Sequence, residues 1–231
     1  MNINYHKIRI LFKKIPILRY LIKKILHIFR KIDEENKIRV LNSIPIFLLS
    51  KAHIKNTKIL LNRSELLHLL PKYGVVAELG VASGNFSSEI LNICNPKKLY
   101  LVDTWSPNST EGTMQEVEEK FKNQINNRSV VILNSSSLNV VKQFNDVTFD
   151  WIYIDTDHSY KTTISELRLW ASKIKDTGII AGHDYDMGSW VHGYKYGVIE
   201  AVNQFCVEEN WQIIYLTACH HEVVSYAIKK I

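Results

Sequence analysis

The chain has 231 residues, 46% of them hydrophobic, which suffices for one full core and an appended segment but not for a second large domain. Its net charge of +6 is uneven: residues 1–40 hold 11 Lys and Arg against 3 acidic residues, whereas the rest holds 18 basic and 20 acidic residues. A slightly acidic body argues against nucleic acid as the partner of the main domain. Three cysteines, Cys94, Cys206 and Cys219, form no CxxC pair and predict buried thiols in a reducing, cytoplasmic compartment.

Residues 1–40 have the pattern of a basic amphipathic helix that begins near Pro16, since proline is tolerated in a first turn. Lys and Arg separate apolar residues that recur at steps of three or four. These apolar positions are Ile8, Leu11, Ile15, Leu18, Ile22, Ile25, Phe29 and Ile32. Charges interrupt every window long enough to span a bilayer, and a signal peptide would need an uninterrupted apolar core. The open interpretations are packing on the domain or on a second copy of the chain, peripheral contact with an anionic membrane, and contact with nucleic acid.

Residues 33–60 mix polar and apolar side chains, with Pro45 in the middle, which predicts a broken helical connector. We therefore divide the chain into a helical extension, residues 1–60, and an α/β domain, residues 61–231.

The second part alternates short apolar runs with helical patterns. The runs at 75–79, 99–102, 130–133, 151–154 and 178–181 are too short for helices and are apolar on both faces, as in buried parallel strands. Helical patterns fall at 85–93, 111–126, 138–144, 160–174 and 196–209. Two further runs, 211–217 and 223–228, are joined too closely for a crossover helix and predict an antiparallel hairpin. The fold class is therefore α/β, a doubly wound, mostly parallel, seven-stranded Rossmann-like sheet closed by this hairpin.

The segment from Val76 to Ser87 reads as a strand, a glycine turn and a helix start. Gly80 and Gly84 give GxxxG, without the middle glycine of the GxGxxG turn that places a pyrophosphate on a helix. Glu78 would repel a pyrophosphate but could help to hold a cationic ligand. Asp103 ends the next strand run, where a carboxylate can accept both hydroxyls of a ribose. S-adenosylmethionine (SAM) combines a ribose, a sulfonium and an amine, so these acids fit SAM better than a dinucleotide.

Four segments, ELGVASGNFS, LYLVDTW, DWIYIDTDHSY and GIIAGHDY, resemble class I SAM-dependent methyltransferases in order and spacing. The resemblance is to the group of the macrocin and mycinamicin sugar O-methyltransferases and the cephalosporin hydroxylase-like proteins, and it covers about residues 70–226. It implies SAM-dependent methyl transfer to a hydroxyl of a sugar or another small molecule. It also implies the methyl-donor contacts, which are Glu78, Gly80, Gly84, Ser87, Asp103, Ser135 and Ser136. The two serines could equally be an ordinary helix N-cap.

Two groups of polar residues follow the fourth and fifth strand runs, and the carboxyl ends of such strands face one crevice. The resemblance implies a divalent cation on Asp155, His183 and Asp184. Oxygen ligands suit Mg²⁺, and a histidine also admits Mn²⁺. Several relatives carry Glu-Asp where this chain has His183-Asp184, so His183 could instead bind the substrate or Asp157.

The resemblance also implies that His158 is the general base that deprotonates the acceptor hydroxyl. Asp157 is either a second base or a support for His158, and a helix-start role is the alternative for His158. The aromatic segment 185–197 is either a substrate lid or a covered loop. It contains Tyr185, Trp190, His192, Tyr194 and Tyr196.

Two other functions compete with this interpretation. One is an N-methyltransferase or a hydroxylase-like relative that uses the same pocket. The other is a non-catalytic, membrane-associated binding protein in which the N-terminal helix is the working part.

Overall fold

The structure, a computed structural model, describes residues 16–106, 112–189 and 193–231. Some predicted features lie outside these residues, namely Ile8, Leu11 and Ile15 of the apolar stripe, Glu111 at the start of a predicted helix, and Trp190 and His192 of the aromatic segment. The chain divides into two compact units, Met1–Pro45 and Ile46–Ile231.

In the first unit, the predicted helix begins at Pro16 and continues to Ser43, well into the predicted connector. This helix is α1. Its second half carries ion pairs one turn apart, such as Arg30 with Glu34 and Lys37 with Asp33, which favour continued helix. Among the described residues, no helix is both long enough and apolar enough to cross a membrane.

The second unit alternates strands and helices. Its helices are α2 (Lys51–Ile54), α3 (Arg63–Leu69), α4 (Asn85–Cys94), α5 (Met114–Lys120), α6 (Lys122–Asn126), α7 (Ser137–Val140), α8 (Tyr160–Ala171) and α9 (Val198–Glu209), with a 3-10 turn at Val141–Gln143. Its strands are β1 (Lys58–Leu60), β2 (Val75–Leu79), β3 (Lys98–Asp103), β4 (Val130–Asn134), β5 (Phe149–Ile154), β6 (Ile174–Gly182), β7 (Gly188–Ser189), β8 (Tyr194–Lys195), β9 (Trp211–Thr217) and β10 (Tyr226–Lys230).

The main sheet has the order β1-β9-β10-β6-β5-β2-β3-β4. Strands β4, β3, β2, β5 and β6 are parallel neighbours, and β10 runs antiparallel to β6 and to β9. The predicted α/β fold with a mostly parallel sheet and a C-terminal antiparallel hairpin is therefore confirmed. The chain reverses its direction of winding between β2 and β5, which is where an open α/β sheet binds its ligands.

The structure adds a short eighth strand to the seven predicted ones. Strand β1 pairs in parallel with β9, from Lys58 with Tyr215 to Leu60 with Thr217. The predicted boundary at residue 61 thus falls directly after the first strand of the second unit. Three residues that are mostly exposed carry no apolar alternation, so the sequence offered no signal for this edge strand.

Helices cover both faces of the sheet and bury two cores. Trp170 of α8 and Phe205 of α9 pack in the core on one face, and Leu66 of α3 and Ile90 of α4 pack in the core on the other. Residues of β2 are buried from Val76 to Leu79 with no alternation, as predicted for a strand between two helix layers.

Tertiary contacts shorten two predicted helices. The pattern 111–126 predicts one helix, but α5 ends before Phe121, whose ring packs beside Gly84 and is buried. The pattern 160–174 also predicts one helix, yet Ile174 starts β6 and pairs with Phe149 of β5. In both places a long-range contact outweighs local propensity.

The three thiols are free. Cys94 and Cys206 are buried as predicted, but the prediction was wrong for Cys219, which is partly exposed because it lies in the segment between β9 and β10.

Candidate active site

A cavity of about 830 Å³ opens at the carboxyl ends of the parallel strands, around the point where the winding reverses. That volume lies in the range of sites for small molecules and cofactors. Most of the predicted site residues line it, namely Glu78, Gly80, Asp103, Ser135, Ser136, Asp155, Asp157, His158, His183 and Asp184. Gly84 and Ser87 are not among the lining residues.

The glycine turn packs directly against the next loop of the site. Gly80 has φ +89°, and a Cβ there would lie 1.7 Å from the carbonyl oxygen of Asp155. Gly84, with φ +73°, precedes the first residue of α4, and its Cβ would lie 2.9 Å from the Phe121 ring. Both positions therefore need glycine for backbone conformation and for close packing.

Asp103 orders the glycine turn as well as facing the cavity. Its Oδ2 accepts hydrogen bonds from the backbone amides of Val81 (2.7 Å) and Ala82 (3.0 Å), and its Oδ1 accepts one from the amide of Trp105 (2.9 Å). The indole of Trp105 in turn donates to the carbonyl of Ala82 (3.0 Å). Since a carboxylate oxygen can accept two hydrogen bonds, Oδ1 keeps one acceptor position. The sequence did not single out Trp105.

Glu78 lies at the floor of the cavity and is buried. The hydroxyl of Ser87, which is also buried, donates to its carboxyl group at 2.5 Å. Burial raises the pKa of Glu78 to about 8, although the Ser87 hydrogen bond opposes the shift. Ser87 therefore holds Glu78, which indicates an indirect role toward any ligand.

The predicted adenine contacts, Ser135 and Ser136, line the cavity after β4. Ser136 occupies the N-cap position of α7, yet its side chain makes no capping hydrogen bond.

A buried glutamate forms hydrogen bonds with both the segment after β4 and the loop after β5. Glu166 of α8 accepts hydrogen bonds from Ser137 (2.5 Å) and Thr156 (2.9 Å), and burial raises its pKa to about 7. Glu166 lies on the buried side of a regular helix, so the sequence pattern of that helix did not indicate that it belongs to a site.

His158 is paired with Asp184 rather than with its sequence neighbour. The distance between His158 Nδ1 and an Asp184 carboxylate oxygen is 2.7 Å, and both residues have positive φ, +58° and +59°. Asp157 instead accepts hydrogen bonds from the amide of Ser159 (3.0 Å) and the hydroxyl of Thr162 (2.7 Å) at the start of α8. Non-glycine residues rarely adopt positive φ, and such strain clusters at functional sites.

The pairing sets the ionisation of both groups. Burial by itself lowers the pKa of His158, but the hydrogen bond to Asp184 and the nearby carboxylates outweigh it and raise that pKa. Burial by itself raises the pKa of Asp184, and the same hydrogen bond with the His158 charge outweighs it and lowers that pKa. Asp184 therefore stays ionised and favours the imidazolium form of His158.

The predicted metal ligands are not grouped as expected. One ligand atom each of Asp155, His158 and Asp184 lies within 4.8 Å of the other two. His183 is not part of this group, and its Nδ1 lies 2.9 Å from the hydroxyl oxygen of Ser225. Burial lowers the pKa of His183 to about 4, so it is neutral in the folded protein.

Arg63, the first residue of α3, also lines the cavity. Its guanidinium lies 3.6 Å from the Asp155 carboxylate and 4.1 Å from the centroid of the Phe86 ring. Sequence reasoning missed it because no motif surrounds it and it precedes Val75–Leu79, the first strand that the sequence predicted.

Part of the chain is similar to a known protein family. Residues 77–185 match the family described as a methyltransferase domain. No curated protein matches the chain.

Solved structures show the same fold at low identity. A SAM-dependent methyltransferase from Aquifex aeolicus is 15% identical, with a TM-score of 0.53 over 73% of this chain and 89% of that one. The SMU.1697c protein of Streptococcus mutans, solved with S-adenosylhomocysteine (SAH), is 16% identical, with a TM-score of 0.54 over 74% and 100%. The 1,6-didemethyltoxoflavin-N1-methyltransferase of Burkholderia thailandensis, solved with bound 1,6-didemethyltoxoflavin and SAH, is 12% identical, with a TM-score of 0.53 over 72% of this chain and 76% of that one. The chain thus shares its fold with SAM-dependent methyltransferases, and its residues 77–185 match a methyltransferase domain.

Proposed function

We propose that the chain transfers a methyl group from SAM to a hydroxyl of a small molecule, with His158 as the general base. The observation that carries the proposal is the His158–Asp184 pair, which faces the same cavity as the glycine turn and Asp103. In this proposal the donor site and the base share one enclosure, as direct transfer requires.

The donor would lie along the ends of β2, β3 and β4. The remaining acceptor position on Asp103 Oδ1 suits a ribose hydroxyl, and the loop with Ser135 and Ser136 suits the adenine. Glu78 lies where a carboxylate would attract the positive end of the donor.

The chemistry would run through the free nitrogen of His158. Because Nδ1 bonds to Asp184, a neutral His158 carries its proton on Nδ1, and Nε2 is the basic atom. The acceptor oxygen attacks the methyl carbon, the bond from that carbon to sulfur breaks, and the hydroxyl proton passes to Nε2. Asp184 then stabilises the imidazolium, and SAH leaves as the neutral thioether.

The sugar acceptor implied by the resemblance remains part of this proposal. The Tyr196 ring lies 5.0 Å from the His158 ring and 5.4 Å from the Tyr194 ring, and aromatic faces stack well on sugars.

A divalent cation is an alternative aid to the acceptor hydroxyl. Asp155, His158 and Asp184 would hold it, and it would lower the pKa of a bound hydroxyl. The fit is poor in two respects: Arg63 places a positive charge 3.6 Å from Asp155, and a metal on Nδ1 would take the atom that bonds to Asp184. The methyl transfer proposed above therefore runs without a metal. Overnight dialysis against EDTA should leave methyl transfer intact, and restoration by Mg²⁺ or Mn²⁺ after a loss would favour the cation.

The decisive first experiment is calorimetric titration with SAM and with SAH, with and without Mg²⁺, for the wild type and Asp103→Ala. Saturable binding by the wild type, weakened at least tenfold in the variant, would support the donor site. No binding under either metal condition would contradict methyl transfer.

The base is tested by His158→Ala in an acceptor screen that follows SAH release. We expect the rate to fall by about 10²- to 10⁴-fold while SAH affinity stays at the wild-type value. A hydroxylated acceptor favours O-methylation, whereas turnover of amines alone would favour an N-methyltransferase. A requirement for iron and a co-substrate would favour a hydroxylase-like relative.

The first half of α1 is proposed to contact an anionic membrane. Between Pro16 and Ile32 this helix carries basic residues and no acidic residue, and the apolar side chains of Ile17, Leu21 and Ile28 are exposed. Vesicles with phosphatidylserine should sediment the full chain, and a variant with Lys23, Lys24, Arg30 and Lys31 changed to Gln should remain in solution. A dimer in solution without vesicle binding would favour the second copy, and membrane binding without donor binding would favour the non-catalytic function.

A further inference from the structure

Arg63 is fixed at the edge of the cavity by its place in the fold. It starts α3 after the N-cap Asn62, and its backbone amide donates to the Glu222 carboxylate at 3.2 Å. The side chain extends over the Phe86 ring, with the guanidinium carbon 4.1 Å from the centroid, and is only 22% exposed. A guanidinium that is stacked and largely enclosed in this way has lost much of its freedom before any ligand arrives.

The guanidinium keeps hydrogen-bonding capacity for a ligand. Its closest carboxylate within the described ranges, that of Asp155, lies at 3.6 Å, which is an ion-pair distance rather than a hydrogen-bond distance. It also interacts with the phenol of Tyr153. Five N–H donors in a planar fork exceed what one phenol can accept, so a ligand with two oxygens could be held bidentately.

Arg63 and Asp155 lie where one end of the proposed donor would be. The amide of Asp155 donates to the carbonyl of Leu79 at 2.7 Å, so Asp155 adjoins the glycine turn on the side of β5. Asp103 lies on the other side, at the end of β3, and β2 separates the two strands. The ends of β3 and β5 are therefore two strand spacings apart, roughly 10 Å, which an extended thioether chain from a ribose can bridge.

The charges of Arg63 and Asp155 indicate which chemical group of the donor they would bind. The amino acid end of SAM and SAH carries an ammonium and a carboxylate on one carbon, and Arg63 and Asp155 offer the opposite charges side by side. The other ionisable neighbours are poorer partners for a carboxylate. His183 is neutral with a pKa of about 4, Glu78 is an acid, and the positive charge of a protonated His158 is already paired with Asp184 at 2.7 Å.

We propose that Arg63 and Asp155 form the subsite for the zwitterionic amino acid end of the methyl donor, with the guanidinium holding the carboxylate and Asp155 accepting from the ammonium. This inference rests on the proposed function. It gives Asp155 a role in donor binding in place of metal ligation, so donor affinity should not depend on Mg²⁺.

The test compares SAH with its decarboxylated analogue by calorimetry, for the wild type, Arg63→Gln, Arg63→Lys and the control Arg168→Gln. Arg168 is an exposed arginine of α8 that pairs with Glu208, outside the residues that line the cavity. We expect the wild type and the control to bind SAH at least tenfold more tightly than the analogue. Arg63→Gln should lose that preference by weakening SAH alone, and Arg63→Lys should keep part of it.

The outcomes separate the two proposals. Equal binding of SAH and the analogue by the wild type, or an unchanged preference in Arg63→Gln, would overturn the subsite and leave the methyl-donor site standing. Binding of neither compound by the wild type would overturn the proposed function itself. If Arg63→Gln does not fold, loss of part of the preference in Arg63→Lys supports the subsite, and equal binding of SAH and the analogue by the wild type still overturns it.

Discussion

The two halves of the cavity are built in different ways. On the side of β2 and β3, the glycine turn is ordered by hydrogen bonds to Asp103, and the participating residues lie in two short segments of sequence. On the side of β5 and β6, the site consists of charged side chains from separate parts of the chain, Arg63 with Asp155 and His158 with Asp184. Backbone geometry therefore dominates the first half and ionisation dominates the second. Substitutions at Gly80 and Asp103 should act through packing and donor affinity, and substitutions at the His158–Asp184 pair should act through the pH dependence of the rate.

The largest effect should come from Gly80→Ala. The added methyl group would lie 1.7 Å from the Asp155 carbonyl oxygen, so the turn must move. We expect the free energy of unfolding to fall by about 3 kcal/mol or more and SAH binding to be lost. Gly193→Ala is the matched control, because φ is also positive there (+67°) but no described atom lies within 4 Å of the new Cβ. Urea unfolding measures both, and equal losses would contradict the packing role of Gly80.

A smaller but still large effect is expected for Asp184→Asn. The substitution removes the charge that raises the pKa of His158, so that pKa should fall and the rate should reach its plateau at lower pH. Because the base is weaker and less well oriented, we expect the plateau to drop by about 10²-fold. A pH–rate profile and an NMR titration of the His158 ring measure these changes.

Asp157→Asn serves as the control for that experiment, since Asp157 bonds to the start of α8 and not to the imidazole. Its profile should stay close to that of the wild type. An equal loss in Asp157→Asn would favour the direct catalytic role that the sequence allowed for Asp157.

We expect an effect of intermediate size when SAM affinity is measured as a function of pH. Glu78, with a pKa of about 8, is protonated in the free protein at neutral pH, and a cationic ligand favours its ionised form. SAM should therefore bind with proton release, and its affinity should rise with pH by at most about tenfold per unit until pH 8. Calorimetry in buffers of different ionisation enthalpy counts the protons. Glu78→Gln should abolish the release, and unchanged release in that variant would assign the proton to another group.

The smallest effect is expected for Trp105→Phe. This change keeps the aromatic ring but removes the hydrogen bond from the indole to the Ala82 carbonyl. One such bond contributes about 1 kcal/mol, so SAH affinity should fall by about fivefold. An unchanged SAH affinity would show that Asp103 alone orders the turn.

The sequence by itself determined the local parts of this protein. Strands β2 and β9 appear at the predicted residues. For β2 the reason is that a strand buried on both faces needs a mostly apolar run, and such a run is visible in sequence. The glycine turn was also predicted from sequence. Gly80 follows β2 and Asp103 ends β3, the next strand along the chain, so both lie in one short stretch of sequence.

The tertiary structure alone decided which side chains meet. Sequence order suggested Asp157 as the neighbour of His158, but the sheet places the end of β6 beside the end of β5 and so brings Asp184 to the imidazole. Arg63 reaches Asp155 across 92 positions for the same reason, because α3 packs near the carboxyl ends of the strands. Such contacts between residues far apart in sequence depend on how the strands and helices pack, and the periodicity of the sequence does not predict them.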